Sequence, residues 1–253
     1  MASSPIRFSN LKMEYSPYPF GVIAPVFDEA LYSELLDTFP PMELFQFHSK
    51  FGNKYSLSEK SNRPQYEKFI ASHPAWRQVH SYVKSDDFVF SVLDALRNRN
   101  VDLGLSRAGQ SRAKRVRKTL KSLMQGKLPT VERPLYSRFE FSALPADGGI
   151  VIPHTDSPGK FVTIVFSMVK PGDWTDNWGG GTDLLVAKDV TRSYNFMNAQ
   201  VPYEETDTVA TVPYKTNQAM IFVKTHNSLH GVRKMVGPEG AVRRTLTVVI
   251  ERG

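Results

Sequence analysis

The chain has 253 residues, 41% of them hydrophobic and 23% charged, the balance of an ordinary globular protein that needs no disulfide or structural metal to stay folded. It contains no cysteine, which excludes disulfides, zinc–thiolate sites, iron–sulfur clusters and a cysteine nucleophile, and leaves His, Asp and Glu as metal ligands. The formal charge of +7 is local: residues 106–121 hold seven Lys/Arg and no acid, so the rest of the chain balances at 25 against 25.

The opening MASSPIRFSN lacks the apolar stretch of a secretion signal, and no run approaches ~18 apolar residues, so a cytoplasmic protein with no membrane partner is expected. Residues 28–39 predict a helix. Asp28 is its N-cap, Leu31, Leu35 and Phe39 recur at helical spacing, and Pro40-Pro41 stops it. Residues 47–72 are polar, with Gly52-Asn53 and Arg63-Pro64 as turn signals, and read as a surface loop or lid. Residues 74–97 predict two helices divided near Ser85-Asp86, with Trp76, Val79, Val83 and Phe88, Val92, Ala95/Leu96 on their apolar faces. The basic segment continues in helical register, with Val116, Leu120 and Leu123/Met124 as a stripe and Gly126 as terminator.

After Lys127 the texture changes. Leu135–Leu144, Gly149–Ile152, Phe161–Val169, Thr182–Ala187, Thr208–Val212, Ala219–Val223 and Thr245–Ile250 are short β-branched and aromatic runs punctuated by Gly, Pro and Asn. Helices first and a β-rich region after, with no linker between, predict one α+β unit over 1–253: residues 1–127 mainly helical support, 128–253 the β core.

Three segments carry chemistry. In His154-Thr155-Asp156 the outer residues share one face of an extended chain, so an imidazole and a carboxylate can reach one ion. An HxD alone arises readily by chance in a chain with six histidines. Downstream, Asn227-Ser228-Leu229-His230-Gly231-Val232 follows an apolar strand, and a second His completes a face of two His and one carboxylate. His226, four residues earlier, is the competing second His. In Arg243-Arg244-Thr245, Arg243 and Thr245 share a strand face, a guanidinium fork beside a hydroxyl that suits a carboxylate.

In order and strand context, these segments resemble the prolyl-4-hydroxylase-like branch of the 2-oxoglutarate/Fe(II) oxygenases. The likeness runs from about Tyr136 to Ile250: the strand YSRFEF, the HxD, the strand FVTIVFSM, the turn and strand WGGGTDLLV, the SLHGV segment and the RxT. It implies a double-stranded β-helix (jelly-roll) core with N-terminal supporting helices. It also implies Fe(II), 2-oxoglutarate and O2 as cofactor and co-substrates. By match, His154, Asp156 and His230 are the metal ligands and catalytic centre, and Arg243, assisted by Thr245, binds the distal carboxylate of 2-oxoglutarate. The HGV context and the spacing to Arg243 favour His230 over His226. Phe139 and Ala143 stand where many members have Tyr and Gly.

The implied reaction hydroxylates a C–H bond of a small metabolite, amino acid or peptide and releases succinate and CO2. Members that halogenate carry a small residue where Asp156 stands, so the carboxylate points to hydroxylation; desaturation and cyclisation stay open. Expected cavity walls are Ser157–Lys160, the 170–180 turn and the 47–72 stretch, with Lys160 and Trp174/Trp178 as candidate substrate contacts. On Tyr136, Arg138 and Glu140, which alternate on one strand face, cavity contacts and an Arg138–Glu140 pair are both open. Arg107–Lys121 is rich enough in Lys/Arg to meet nucleic acid, so an oxygenase acting on a nucleic-acid-associated or ribosomal protein is the alternative substrate reading. It lacks the interleaved aromatics of single-strand binders. A non-catalytic jelly-roll binding protein and a metal-dependent isomerase or hydrolase on a cupin-like barrel are the other classes; the presence of all three ligands speaks against the first, and Arg243-Thr245, for which the second has no need, discriminates against it.

Overall fold

The structure is a computed structural model and describes residues 4–49, 52–105, 121, 124 and 135–252. In chain order its elements are β1 (Leu11–Glu14), β2 (Phe20–Ile23), α1 (Glu29–Asp37), β3 (Gln46–His48), β4 (Lys54–Ser58), α2 (Arg63–Ser72), α3 (Pro74–Val83) and α4 (Asp86–Arg97). There follow β5 (Leu135–Pro145), β6 (Val151–His154), β7 (Lys160–Ser167), β8 (Thr182–Ala187), β9 (Thr206–Val212), β10 (Ala219–Val223), β11 (Leu229–Val232) and β12 (Val242–Arg252). The basic stretch 106–121, apart from Lys121, lies outside the described residues. No helix among the described residues is long and apolar enough to cross a membrane.

Three helices, α1, α3 and α4, form where expected. Asp28 caps α1 by accepting from the Ala30 N–H, and Ser85 caps α4 by accepting from the Phe88 N–H. Asp86 and Asp87 add negative charge to the first turn of α4, which favours its dipole.

Among the described residues all strand pairs are antiparallel, in an eight-stranded sheet ordered β1-β2-β10-β7-β12-β5-β4-β3 and a four-stranded sheet ordered β6-β11-β8-β9. The first 58 residues thus supply four strands to the larger sheet beside the helices. The stretch read as a loop or lid holds β3, β4 and α2 instead. The reason lies in β4: Leu57 is fully buried toward the helices, while Lys54 and Ser56 on the alternate face line a polar cavity. A strand with one face on a polar cavity looks by composition like a surface segment.

The main apolar core lies between the helices and the outer face of the large sheet. Phe139 and Phe141 of β5 project into it, with Trp76 of α3 against both, at centroid separations of 6.4 and 4.7 Å. The Trp76 indole N–H donates to the Thr38 carbonyl at 2.9 Å, so the ring is packed and hydrogen-bonded at once. A second cluster of Tyr18, Phe20, Met220 and Phe222 from the large-sheet side with Leu184 and Val212 of the small one joins the two sheets. Because side chains alternate along β5, the strand that buries Phe139 and Phe141 outward turns Arg138, Glu140, Ser142 and Leu144 toward the small sheet. Trp76→Ala is expected to cost about 3–5 kcal/mol of stability, read as a lowered denaturation midpoint in urea.

Candidate metal centre

β6 and β11 are neighbours in the small sheet, and their register sets His230 opposite His154. The two rings lie 4.6 Å apart, and Phe222 of β10 packs on the His230 ring at 4.3 Å. Asp156 follows two residues after His154. Its carboxylate and one nitrogen from each ring all lie within 4.8 Å of one another. Among the described residues this is the one group of three or more His, Asp or Glu side chains close enough to share an ion.

Each imidazole is oriented from behind by its own chain: His154 Nδ1 meets the Ile152 carbonyl at 2.8 Å and His230 Nδ1 the Ser228 carbonyl at 3.0 Å. A carbonyl only accepts, so Nδ1 carries the hydrogen in both rings and Nε2 is left with its lone pair. Burial lowers the pKa of both rings. For His230, burial and then the neighbouring His154 bring it to about 3. Both are therefore neutral at physiological pH, the form a metal ion requires.

Asp156 is buried, which by itself would raise its pKa. The Lys160 ammonium, the His230 ring and the Thr163 hydroxyl outweigh burial and hold the carboxyl well below the usual range. Lys160 Nζ donates to one carboxylate oxygen and Thr163 Oγ1 to the other, both at 2.5 Å. Lys160, read from sequence as a substrate contact, is therefore engaged with Asp156. Thr163 belongs to β7, so Asp156 ties the loop after β6 to the large sheet. Behind it, Lys224 Nζ donates to Thr155 Oγ1 at 2.9 Å, and Thr155 is fully buried. Two neutral nitrogens and one carboxylate form a donor set suited to a divalent iron-type ion with coordination positions left open.

His226 is exposed and stacks on Tyr194, 5.2 Å between centroids, apart from this cluster. Arg243 and Arg244 part company in the same way. Arg244 is exposed over the Phe39 ring, whereas Arg243 is 6% exposed and lines the cavity that contains the triad. The Arg243 guanidinium lies over the Tyr214 ring at 4.9 Å, and its Nε donates to the Gly180 carbonyl at 2.5 Å. No acidic side chain among the described residues pairs with it. Gly180 has φ of +86°, and a Cβ there would come within 2.9 Å of Trp174 and 3.3 Å of the Arg243 side chain. The glycine turn thus lets backbone approach and orient the arginine. Trp174 and Trp178 contact each other at 5.3 Å behind this turn and do not line the cavity. Thr245 lies on the same cavity face of β12 as Arg243.

The cavity between the sheets has a volume of about 450 Å³. Its walls include Lys54 and Lys60 from the expected 47–72 stretch and, beyond the predicted residues, Asn198, Gln200 and Phe222. Glu140 accepts from Lys54 Nζ at 2.5 Å and Ser142 Oγ at 3.0 Å, not from Arg138. Tyr136 donates to Glu251. Phe139 and Ala143 face the helices rather than the cavity.

No protein-family model matches the sequence, and no curated protein matches it. Among solved structures, the chain is similar to a prolyl hydroxylase from Trichoplax adhaerens in complex with a hypoxia-inducible-factor peptide fragment: 12% identity over 92% of this chain and 83% of that one, TM-score 0.49. A Pseudomonas putida prolyl-4-hydroxylase matches at 12% identity over 92% of both chains with a TM-score of 0.45. The α-ketoglutarate-dependent epimerase SnoN of nogalamycin biosynthesis matches at 11% identity over 92% and 77%, TM-score 0.42. Likeness at this level leaves the residues themselves as the ground for the chemistry.

Glu140 gives the cavity a pH signature. Burial would raise its pKa, but Lys54, Arg138 and Ser142 bring it to about 2, from an ordinary 4.5. Between those values the unfolded chain binds the proton and the folded chain does not, so stability falls as pH drops through that window. Glu140→Gln should lack this part of the slope, measured by urea unfolding at a series of pH values from 5 to 3.

Proposed function

We propose that this protein is a 2-oxoglutarate- and Fe(II)-dependent oxygenase of the prolyl-4-hydroxylase-like branch. Its two facing sheets then form a jelly-roll core, and it hydroxylates a C–H bond of a small metabolite, amino acid or peptide. The observation that supports this most is the convergence of His154, Asp156 and His230 within 4.8 Å, with both imidazoles tied through Nδ1 to carbonyls. The second support is Arg243, a buried guanidinium in the same cavity, without an acidic partner among the described residues. A cupin-type hydrolase or isomerase has no use for such a residue.

In this reading His154 Nε2, His230 Nε2 and an Asp156 carboxylate oxygen hold the iron. Bound there with 2-oxoglutarate, iron supplies oxygen activation coupled to decarboxylation, with succinate and CO2 as products. The protein's own part is placement. Arg243 pairs with the distal carboxylate of 2-oxoglutarate, Gly180 and Tyr214 fix the angle of its guanidinium, and Thr245 adds a hydroxyl from the same strand face. Thr163 and Lys160 keep Asp156 ionised and oriented. Phe222, beside His230, contributes an apolar wall that limits water near the reacting C–H bond.

Anaerobic addition of Fe(II) and 2-oxoglutarate to the protein should produce the visible charge-transfer band of the chelate, and His154→Ala should abolish it. A band unchanged in His154→Ala would contradict the ligand assignment. Arg243→Gln should keep the iron while weakening 2-oxoglutarate about 10- to 100-fold, read by titrating the band. Wild-type affinity in that variant would remove Arg243 from its role.

A further inference from the structure

We propose that the substrate is a small molecule bearing a carboxylate or phosphate, and that Arg138 binds that group, with Lys54 and Lys60 on the same wall. This rests on the oxygenase reading above. Arg138 stands on the cavity face of β5, and its Nε is buried without a hydrogen-bond partner. Glu140, two residues away, acts on Arg138 through charge alone, because its hydrogen bonds go to Lys54 and Ser142, so the Arg138 Nε donor stays unused. Arg138 itself is half-buried, but a guanidinium nitrogen buried with its donor unused is costly unless a ligand completes its bonding, and a carboxylate or phosphate does so through two parallel hydrogen bonds.

The position is right for substrate. Strand register sets Arg138 across from Val249 on β12, and Val249 across from Thr163 on β7. Thr163 is the residue that hydrogen-bonds Asp156. Arg138 therefore sits on the rung of the metal centre, two strand spacings or about 10 Å from Thr163. Arg243 pairs across the β5–β12 ladder with Leu144, six residues further along β5, so the two guanidiniums are separate subsites of one cavity.

Charge points the same way. The cavity lining has Lys54, Lys60, Arg138, Lys160 and Arg243 against Glu140 and Asp156, five cations to two carboxylates. Fe(II) and a 2-oxoglutarate dianion cancel, so the loaded site keeps three positive charges for the substrate to meet. Such a surplus in a low-dielectric cleft concentrates anions and speeds their encounter.

The test uses the full chain loaded anaerobically with Fe(II) and saturating 2-oxoglutarate, with the chelate band as a monitor. Inorganic phosphate and N-acetylglycine are titrated by calorimetry, with neutral N-acetylglycinamide as control, and the tighter of the two anions identifies the group. We expect one anion to bind while the band persists, the amide not to bind, and Arg138→Gln to weaken the anion about tenfold or more with 2-oxoglutarate affinity unchanged. Lys60→Gln, at an exposed position, should weaken it less and serves as a second variant whose folding is safe. The proposal is overturned if neither anion binds, if the amide binds equally, or if Arg138→Gln binds the anion like wild type; should Arg138→Gln not fold, wild-type binding by Lys60→Gln overturns it. It is also overturned if Arg138→Gln loses 2-oxoglutarate, which would make Arg138 the co-substrate's anchor. Absence of the band in wild type would instead remove the oxygenase reading itself, and this one with it.

Discussion

Two imidazoles face each other because β6 and β11 pair with His154 opposite His230, and the site depends on that register. A shift by one residue would turn one ring to the other side of the small sheet and leave a lone histidine beside Asp156. The backbone also fixes the chemistry of the rings. Each accepts its orientation from the carbonyl two residues earlier, which presents Nε2 as the free donor atom. Asp156 then bridges to the large sheet through Thr163, so the three groups meet where the two sheets do.

The cost of this arrangement is charge and polarity crowded between two sheets, and the surrounding structure offsets it pair by pair. Asp156 is matched by Lys160, and Glu140 by Lys54. Arg243 lies on Tyr214 and the Gly180 carbonyl. Arg138 is the member of the set with a buried nitrogen left unpaired. The helices act at a distance on the same feature: Trp76 and its neighbours grip the outer face of β5, and by alternation that grip sets which residues face inward. Packing on one side of a single strand thus determines the polar wall on the other.

Helices α1, α3 and α4 and most of the later strands were legible because their signals are local: Asp28 and Ser85 as caps, apolar spacing of three and four, and β-branched runs between glycines. The pairing of His154 with Asp156 was legible for the same reason, since alternation along an extended chain needs no tertiary information. What bound His230 to them in the sequence was a resemblance, whereas the structure brings them together by cross-strand register. The strand β4 was hidden because its cavity-facing Lys54 and Ser56 look like surface residues. The 47–72 stretch was legible as a cavity wall and supplies Lys54 and Lys60, but nothing in the sequence marks Tyr214 or Gly180 as supports of Arg243, because those contacts cross between distant strands. Lys160 reads from sequence as a candidate substrate contact, whereas the structure pairs it with Asp156.

The central claim is that one metal ion is held by His154, Asp156 and His230. Crystals grown anaerobically with Fe(II) and measured on either side of the iron absorption edge test it most directly. The account predicts one anomalous peak within bonding distance of His154 Nε2, His230 Nε2 and an Asp156 carboxylate oxygen. A peak at other side chains, or none in the cavity of iron-saturated crystals, would contradict it.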